Sequence, residues 1–316
     1  MGCAPERRPS SCSPHLYSSL VRALEAGPKQ QTELRRELGL PAQTTLRVQL
    51  KRLADGGIVE KRRRNRFPGA LEYELTAVGR KLLFVADTLE RWLERAPEGP
   101  LELGGAAAKA AVRALAESWS TTMLRALAAK PLTLTALDGV IASHNFPFLE
   151  RGLTAMRLVG LVKACEGDGR GTPCEVTEWG RHGIAPMMAA TRWERRHAPV
   201  ETASFTKLDV ETVFLLAAAL LSTPADVAGS CRMAVELRNG KRHSLAGLVV
   251  AVRDGRVASR TTSLAGYPEA WVSGDLSAWE GKVSEQVALD YASSPHDFKL
   301  MLAAGGQRAS GIEQLA

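Results

Sequence analysis

Apolar residues in the first hundred positions recur at helical spacing and then at strand spacing, in a fixed order. Leu46, Leu50 and Leu53 stand at i, i+4 and i+7, a stripe that predicts a core-facing helix over 42–55. Thr44, Arg47, Val48 and Lys51 fall on the opposite face. Gly56 and Gly57 stop that helix. Segments at 58–63 and 71–75 then predict a hairpin around Phe67-Pro68-Gly69. Upstream, helices are predicted over 16–26, ending at Gly27-Pro28, and over 32–38, with Thr32 as N-cap. Pro41 sits near the start of the third helix, where its missing N–H costs nothing. A last helix over 78–93 carries Leu82, Val85, Leu89 and Trp92 on one face. Helices, a turn, a further helix and a hairpin make the outline of a winged helix-turn-helix.

The pattern then recurs. Displaced by 103 positions, residues 18–61 are identical at 11 of 44 positions, among them Arg22, Ala23, Leu24, Leu34, Leu46, Leu50, Gly57 and Val59. Beyond that segment the offset falls to 101, where LTAVGR (75–80) meets VTEWGR (176–181) and Trp92 meets Trp193. The two-residue loss falls in the second hairpin, whose tip tolerates deletion. The sequence therefore predicts a tandem duplication, its copies joined by the Pro- and Gly-rich stretch 97–105.

From about Asp209 the pattern changes. An apolar helix over 209–221 precedes alternating segments at 232–238, 244–253 and 256–262, separated by the hairpin signals Asn239-Gly240 and Asp254-Gly255. AWVSGDLSAW (270–279), a strand over 286–292 and a helix over 295–304 follow. The expected fold class is α+β: two winged helix-turn-helix domains in tandem (1–98 and 99–200), then a small α+β domain (201–316) with a curved, mostly antiparallel sheet.

Charge separates the two copies. The chain of 316 residues carries a formal +7, and segment 40–66 alone holds eight basic and two acidic residues, a net +6. The matching segment 143–169 holds three of each and nets zero. Concentrated positive charge favours a polyphosphate partner through counterion release. On the first copy Thr44, Arg47, Val48, Lys51 and Arg52 would face the major groove, and Arg62, Arg63, Arg64 and Arg66 would meet phosphates or the adjacent minor groove. In the second copy the row becomes Pro147, Glu150, Arg151 and Thr154, which a phosphate backbone would repel at Glu150. That copy is expected to serve as a packing partner.

Several motifs resemble one family. CAPER near the N-terminus, FPGALEYELTAVGR across the hairpin and LERW at 89–92 look like the HxlR family of bacterial winged-helix transcriptional regulators. Cys3, Glu6 and Arg7 fall at the family's spacing; Leu16 replaces its tryptophan, which the second copy keeps as Trp119, while Ala106 stands in place of the cysteine. The resemblance covers 3–95 well and 106–197 in degraded form. It implies a homodimer on a palindromic double-stranded DNA operator, and a redox or electrophile sensor at Cys3. The C-terminal stretch resembles the sterol-carrier-protein type of lipid-binding fold. That implies a hydrophobic small-molecule effector, with Met233, Val235, Leu237 and Val249 lining one face and Trp271 and Trp279 at the mouth. The same residues equally suit a plain core. A lipid-binding protein whose winged helices make only protein contacts is the alternative.

Other classes find little support in the residues. The six histidines are scattered without ligand spacing, and no GxSxG, Walker or dinucleotide motif occurs, so neither an enzyme nor a cofactor is expected. Five cysteines form no CxxC and no 18-residue apolar span exists, so a reducing cytoplasm is the expected compartment and no membrane partner is foreseen.

Overall fold

The computed structural model describes residues 14–63, 71–141, 145–165, 171–197, 207–220, 225–226, 228–239, 242–265 and 270–275. The first element, α1 (Pro14–Ala23), leads through β1 (Lys29–Gln30) into α2 (Gln31–Glu37) and α3 (Gln43–Asp55). The hairpin β2 (Val59–Arg63) and β3 (Leu71–Leu75) follows, and β1 adds to its far edge in the order β1-β3-β2. Leu20, Val21, Leu24, Leu34, Leu46, Leu50, Leu53, Val59, Tyr73 and Leu75 form one buried cluster behind these elements. The leucine stripe on α3 thus packs as its spacing predicts, with all three leucines no more than 1% exposed.

Two local expectations are corrected and one element is added. Thr32 lies inside α2; Gln30 is the capping residue, and its N–H donates to the Glu33 carboxylate at 2.7 Å. Glu33 at the third helical position thus reaches back to the N–H of the capping residue, as the carboxylate of a capping box does. The helix expected over 78–93 is broken at Leu82 into α4 (Ala77–Lys81) and α5 (Leu83–Glu94). The two-residue β1 is an addition, too short for any pattern to signal.

After α6 (Ala106–Ala116) the element order of the first segment returns: α7 (Ser118–Ala129), α8 (Leu134–Val140), α9 (Phe146–Leu158), β4 (Val162–Ala164), β5 (Cys174–Val176), α10 (Glu178–His182) and α11 (Ile184–His197). Details match at the sequence offsets. Val59 pairs with Leu75, and Val162 with Val176. Lys29 pairs with Tyr73, and an isolated bridge joins Leu132 to Cys174. The Thr76 hydroxyl caps α4 through the Gly79 N–H and donates to the Gly57 carbonyl at 2.6 Å. The Thr177 hydroxyl caps α10 through the Gly180 N–H and donates to the Gly160 carbonyl at 2.7 Å.

The last described part is α12 (Lys207–Ala218) with β6 (Gly229–Asn239), β7 (Arg242–Arg253), β8 (Arg256–Thr261) and β9 (Ala270–Asp275), in the sheet order β8-β7-β6-β9. Asp254 and Gly255 both take positive φ, as a two-residue hairpin turn requires. The hairpins are antiparallel, but β9 returns parallel to β6, so the chain must cross over the sheet before it. The register also corrects one face. Met233 pairs with Leu248 and Val235 with Ala246, whereas Val249 pairs with Arg232 and so lies on the opposite side from Met233.

This part shares a core with what precedes it. Met233, Val235, Ala246, Leu248 and Val250 belong to one buried cluster with Phe214 and Leu215 of α12, Leu124 and Leu127 of α7, and Trp92 and Leu93 of α5. Polar links cross the same junction: Arg125 on α7 binds the buried Glu211 carboxylate on α12, and Arg260 on β8 donates to the Ala128 carbonyl.

Candidate nucleic-acid interface

Packing on one side of α3 determines what the other side presents. With Leu46, Leu50 and Leu53 locked into the core, Thr44, Arg47, Val48, Lys51 and Arg52 are all exposed. Val48 is 47% exposed, an apolar side chain standing in a polar row. A thymine methyl is the base feature such a side chain suits. Gln49 was not foreseen as core, yet it is buried, and its side-chain oxygen has no partner among the described residues.

The turn before α3 is held by the backbone. Gly39 and Leu40 both take left-handed φ, at 74° and 57°. The Leu40 N–H donates to the Arg35 carbonyl at 2.8 Å, and the Arg35 guanidinium donates to the Pro41 carbonyl at 3.0 Å. Beside this turn lies a hollow of about 410 Å³ lined by Gln31, Thr32, Arg35, Arg36, Leu40 and Gln43. Arg36, exposed on α2, lines this hollow together with Gln43 at the start of α3. The sequence signal was the adjacent arginine pair in the last turn of α2, hidden by the larger basic run downstream.

The hairpin contributes the second group of cations. Lys61, Arg62 and Arg63 are exposed on β2. Arg62 pairs with Glu60 at 2.7 Å and with Glu74 across the strands at 2.9 Å, so it must exchange carboxylates to meet a phosphate. Arg80 on α4 also approaches Glu74, at 3.5 Å. Tyr73 ties hairpin to helix: burial pushes its phenol up, and the charge of Arg47 pulls it back down. Arg64 and Arg66 lie outside the described residues, as does Cys3.

On α9 the corresponding row is Pro147, Glu150, Arg151 and Thr154, equally exposed, with one cation beside a carboxylate where α3 has two cations and no carboxylate. The structure thus gives the two segments the same presentation with different chemistry.

The candidate ligand residues are placed differently from one another. Met233 and Val235 are no more than 3% exposed within the shared core, Leu237 is half-buried against it, and Val249 lies on the other face. Trp271 stands in β9 opposite Arg232, and Trp279 lies outside the described residues. Cys165, Cys174 and Cys231 are free thiols, and burial pushes Cys174 and Cys231 up, away from an activated thiolate. Among the described residues no group of His, Cys, Asp or Glu is placed to hold a metal ion, and no helix is long and apolar enough to cross a membrane.

Residues 17–99 match the HxlR-like helix-turn-helix family. That span runs from within α1 through α5 and so contains the whole basic face. No curated protein matches the chain. Two solved structures are similar to about a quarter of the chain. The diamide-treated YodB from B. subtilis is 27% identical, over 24% of this chain and 76% of that one, with a TM-score of 0.23. The reduced form of the transcriptional regulator YodB from B. subtilis is 27% identical, over 26% of this chain and 80% of that one, with a TM-score of 0.25. Those TM-scores are too low to argue a shared overall fold.

Proposed function

We propose that the chain is a DNA-binding transcriptional regulator that reads its site with α3 and the β2–β3 hairpin of the segment matching the HxlR-like family. The observation that carries this is the exposed row Thr44, Arg47, Val48, Lys51 with Arg52 beside it, set on a helix whose opposite face is fully buried. A rigid helix offering cations, a hydroxyl and one apolar side chain has what major-groove readout needs. Lys61, Arg62 and Arg63 supply phosphate contacts from the hairpin.

Residues 118–197 are, on the same proposal, a second winged helix-turn-helix derived by tandem duplication. The matched strand pairs and the Thr76 and Thr177 caps support this reading. Its α9 face has Glu150 and Thr154 in place of Arg47 and Lys51, and its single cation, Arg151, is offset by Glu150, so it packs and does not read. Helix α12 and the C-terminal sheet act as a brace for this second copy, a role supported by the shared core, the Arg125–Glu211 pair and the Arg260 bond to the Ala128 carbonyl.

Selection from a pool of random duplexes with the full chain tests the proposal. A common sequence should be enriched, and its affinity should fall steeply with salt, by about 10³–10⁵ between 50 and 200 mM if six to ten phosphates are engaged. Absence of any enriched sequence at every salt concentration would reject it.

A further inference from the structure

We infer that one chain reads one non-palindromic half-site, because the pairing that would bring two reading heads together is already closed inside the chain. The inference rests on the DNA-reading role proposed for the first head. It replaces the expectation of a homodimer on a palindrome.

The internal pairing is reciprocal. Trp92 on α5 donates its indole N–H to the Trp179 carbonyl at 3.0 Å, and Trp193 on α11 donates to the Val78 carbonyl at 3.3 Å. At the 101-residue offset Trp92 corresponds to Trp193, and Val78 to Trp179. Donor and acceptor therefore exchange segments between the two bonds. This is the signature of an isologous contact, in which i meets j and j meets i about a two-fold axis. Here the two partners are parts of one chain, and α5 and α11 lie against each other as the equivalent elements.

An isologous contact uses one patch on each partner and leaves none to propagate. On α5 Val85, Ala86, Thr88, Leu89, Trp92 and Leu93 are all buried. Asp87 and Glu90 are held by Arg22 of α1. A second chain therefore finds these α5 positions already occupied and cannot repeat the contact through them.

The two heads so paired are not equivalent. Arg47 and Lys51 on α3 become Glu150 and Thr154 on α9, and the charge of the surrounding segment falls from +6 to zero. A symmetric dimer reads two inverted half-sites about one helical turn apart. A pair with one silent head keeps a single half-site. Its Glu150 meets the second groove with a carboxylate facing phosphates.

The test uses the full chain and the enriched duplex. Anisotropy is measured on the single element and on an inverted repeat of it with centres about 10 base pairs apart, with complex mass from analytical ultracentrifugation. The expected result is an asymmetric motif carrying one chain, with the inverted repeat bound only about twofold more tightly, against the 10²–10⁴ gain of a bivalent reader. An enriched motif that is itself an inverted repeat, weakened 10²-fold or more by loss of one half, would overturn the inference and leave the regulator reading standing. Two chains on the single element would do the same. Failure to enrich any motif would remove the regulator reading itself, and this inference with it.

Discussion

Trp92 and Trp179 lie face to face, their rings 4.4 Å apart and 1° from parallel, and each indole N–H donates to the other residue's backbone carbonyl, at 3.0 and 2.7 Å. One comes from the end of α5 and the other from α10, 87 residues apart. Each ring therefore packs on its partner while both polar ends are satisfied inside the core. Replacing Trp92 with Phe removes a buried donor and some volume, and should cost about 2–4 kcal/mol. Trp193→Phe, whose bond is longer at 3.3 Å and only part-buried, should cost about 1 kcal/mol or less. Urea denaturation of the full chain compares them, and equal losses would deny the stacked pair its central place.

Gly79 and Gly180 are clamps of the same kind. A Cβ at Gly79 would overlap the Ile58 carbonyl oxygen, and one at Gly180 would overlap that of Leu161. Each close approach lets the threonine-capped helix sit directly on the strand entry. Gly79→Ala and Gly180→Ala should each destabilise by about 3 kcal/mol, since backbone blocks the added methyl on both sides. An unchanged denaturation midpoint for either would mean that the approach is not required.

Leu40 should be improvable. It holds φ at 57° while 61% exposed, so it carries left-handed strain with little packing in return. Leu40→Gly relieves about 1–2 kcal/mol of strain and loses about 0.5–1 kcal/mol in chain entropy. A small net rise in melting temperature is expected, and a clear fall would show that the side chain is needed.

Acid should weaken the second segment through His182. Burial, the largest influence, lowers its proton affinity; Glu178 opposes this and Arg95 reinforces it. The unfolded chain then binds the proton more readily than the folded one below about pH 6.5. Stability is therefore lost as pH falls through that value, and His182→Gln should flatten this part of the pH–stability curve. An identical acid slope in wild type and variant would assign the loss elsewhere.

Much of this architecture was legible because its signals are local. Leu46, Leu50 and Leu53 announce α3 by spacing, and the glycines after them end it. Comparison with the matching segment 143–169 separated residues that recur for packing from the cations that do not. Other features were hidden because they depend on distant partners. The parallel return of β9 and the face taken by Val249 are set by register across the sheet. The break at Leu82 leaves the apolar period intact, so periodicity passes through it. Arg125 and Glu211 are 86 residues apart, and only folding joins α12 to the second segment. The candidate interface was visible as charge, but Gln49 beneath it and Arg36 beside it were not.

The most direct test of the central claim is paired charge reversal, read by anisotropy on the enriched duplex. Arg47→Glu and Arg151→Glu place the same change at exposed positions on α3 and α9. Arg47→Glu should abolish sequence-specific binding, a loss of at least about 1–3 kcal/mol for one base-reading cation, while Arg151→Glu leaves affinity within about twofold. Equal losses from both, or none from Arg47→Glu, would contradict the assignment of DNA reading to the first head.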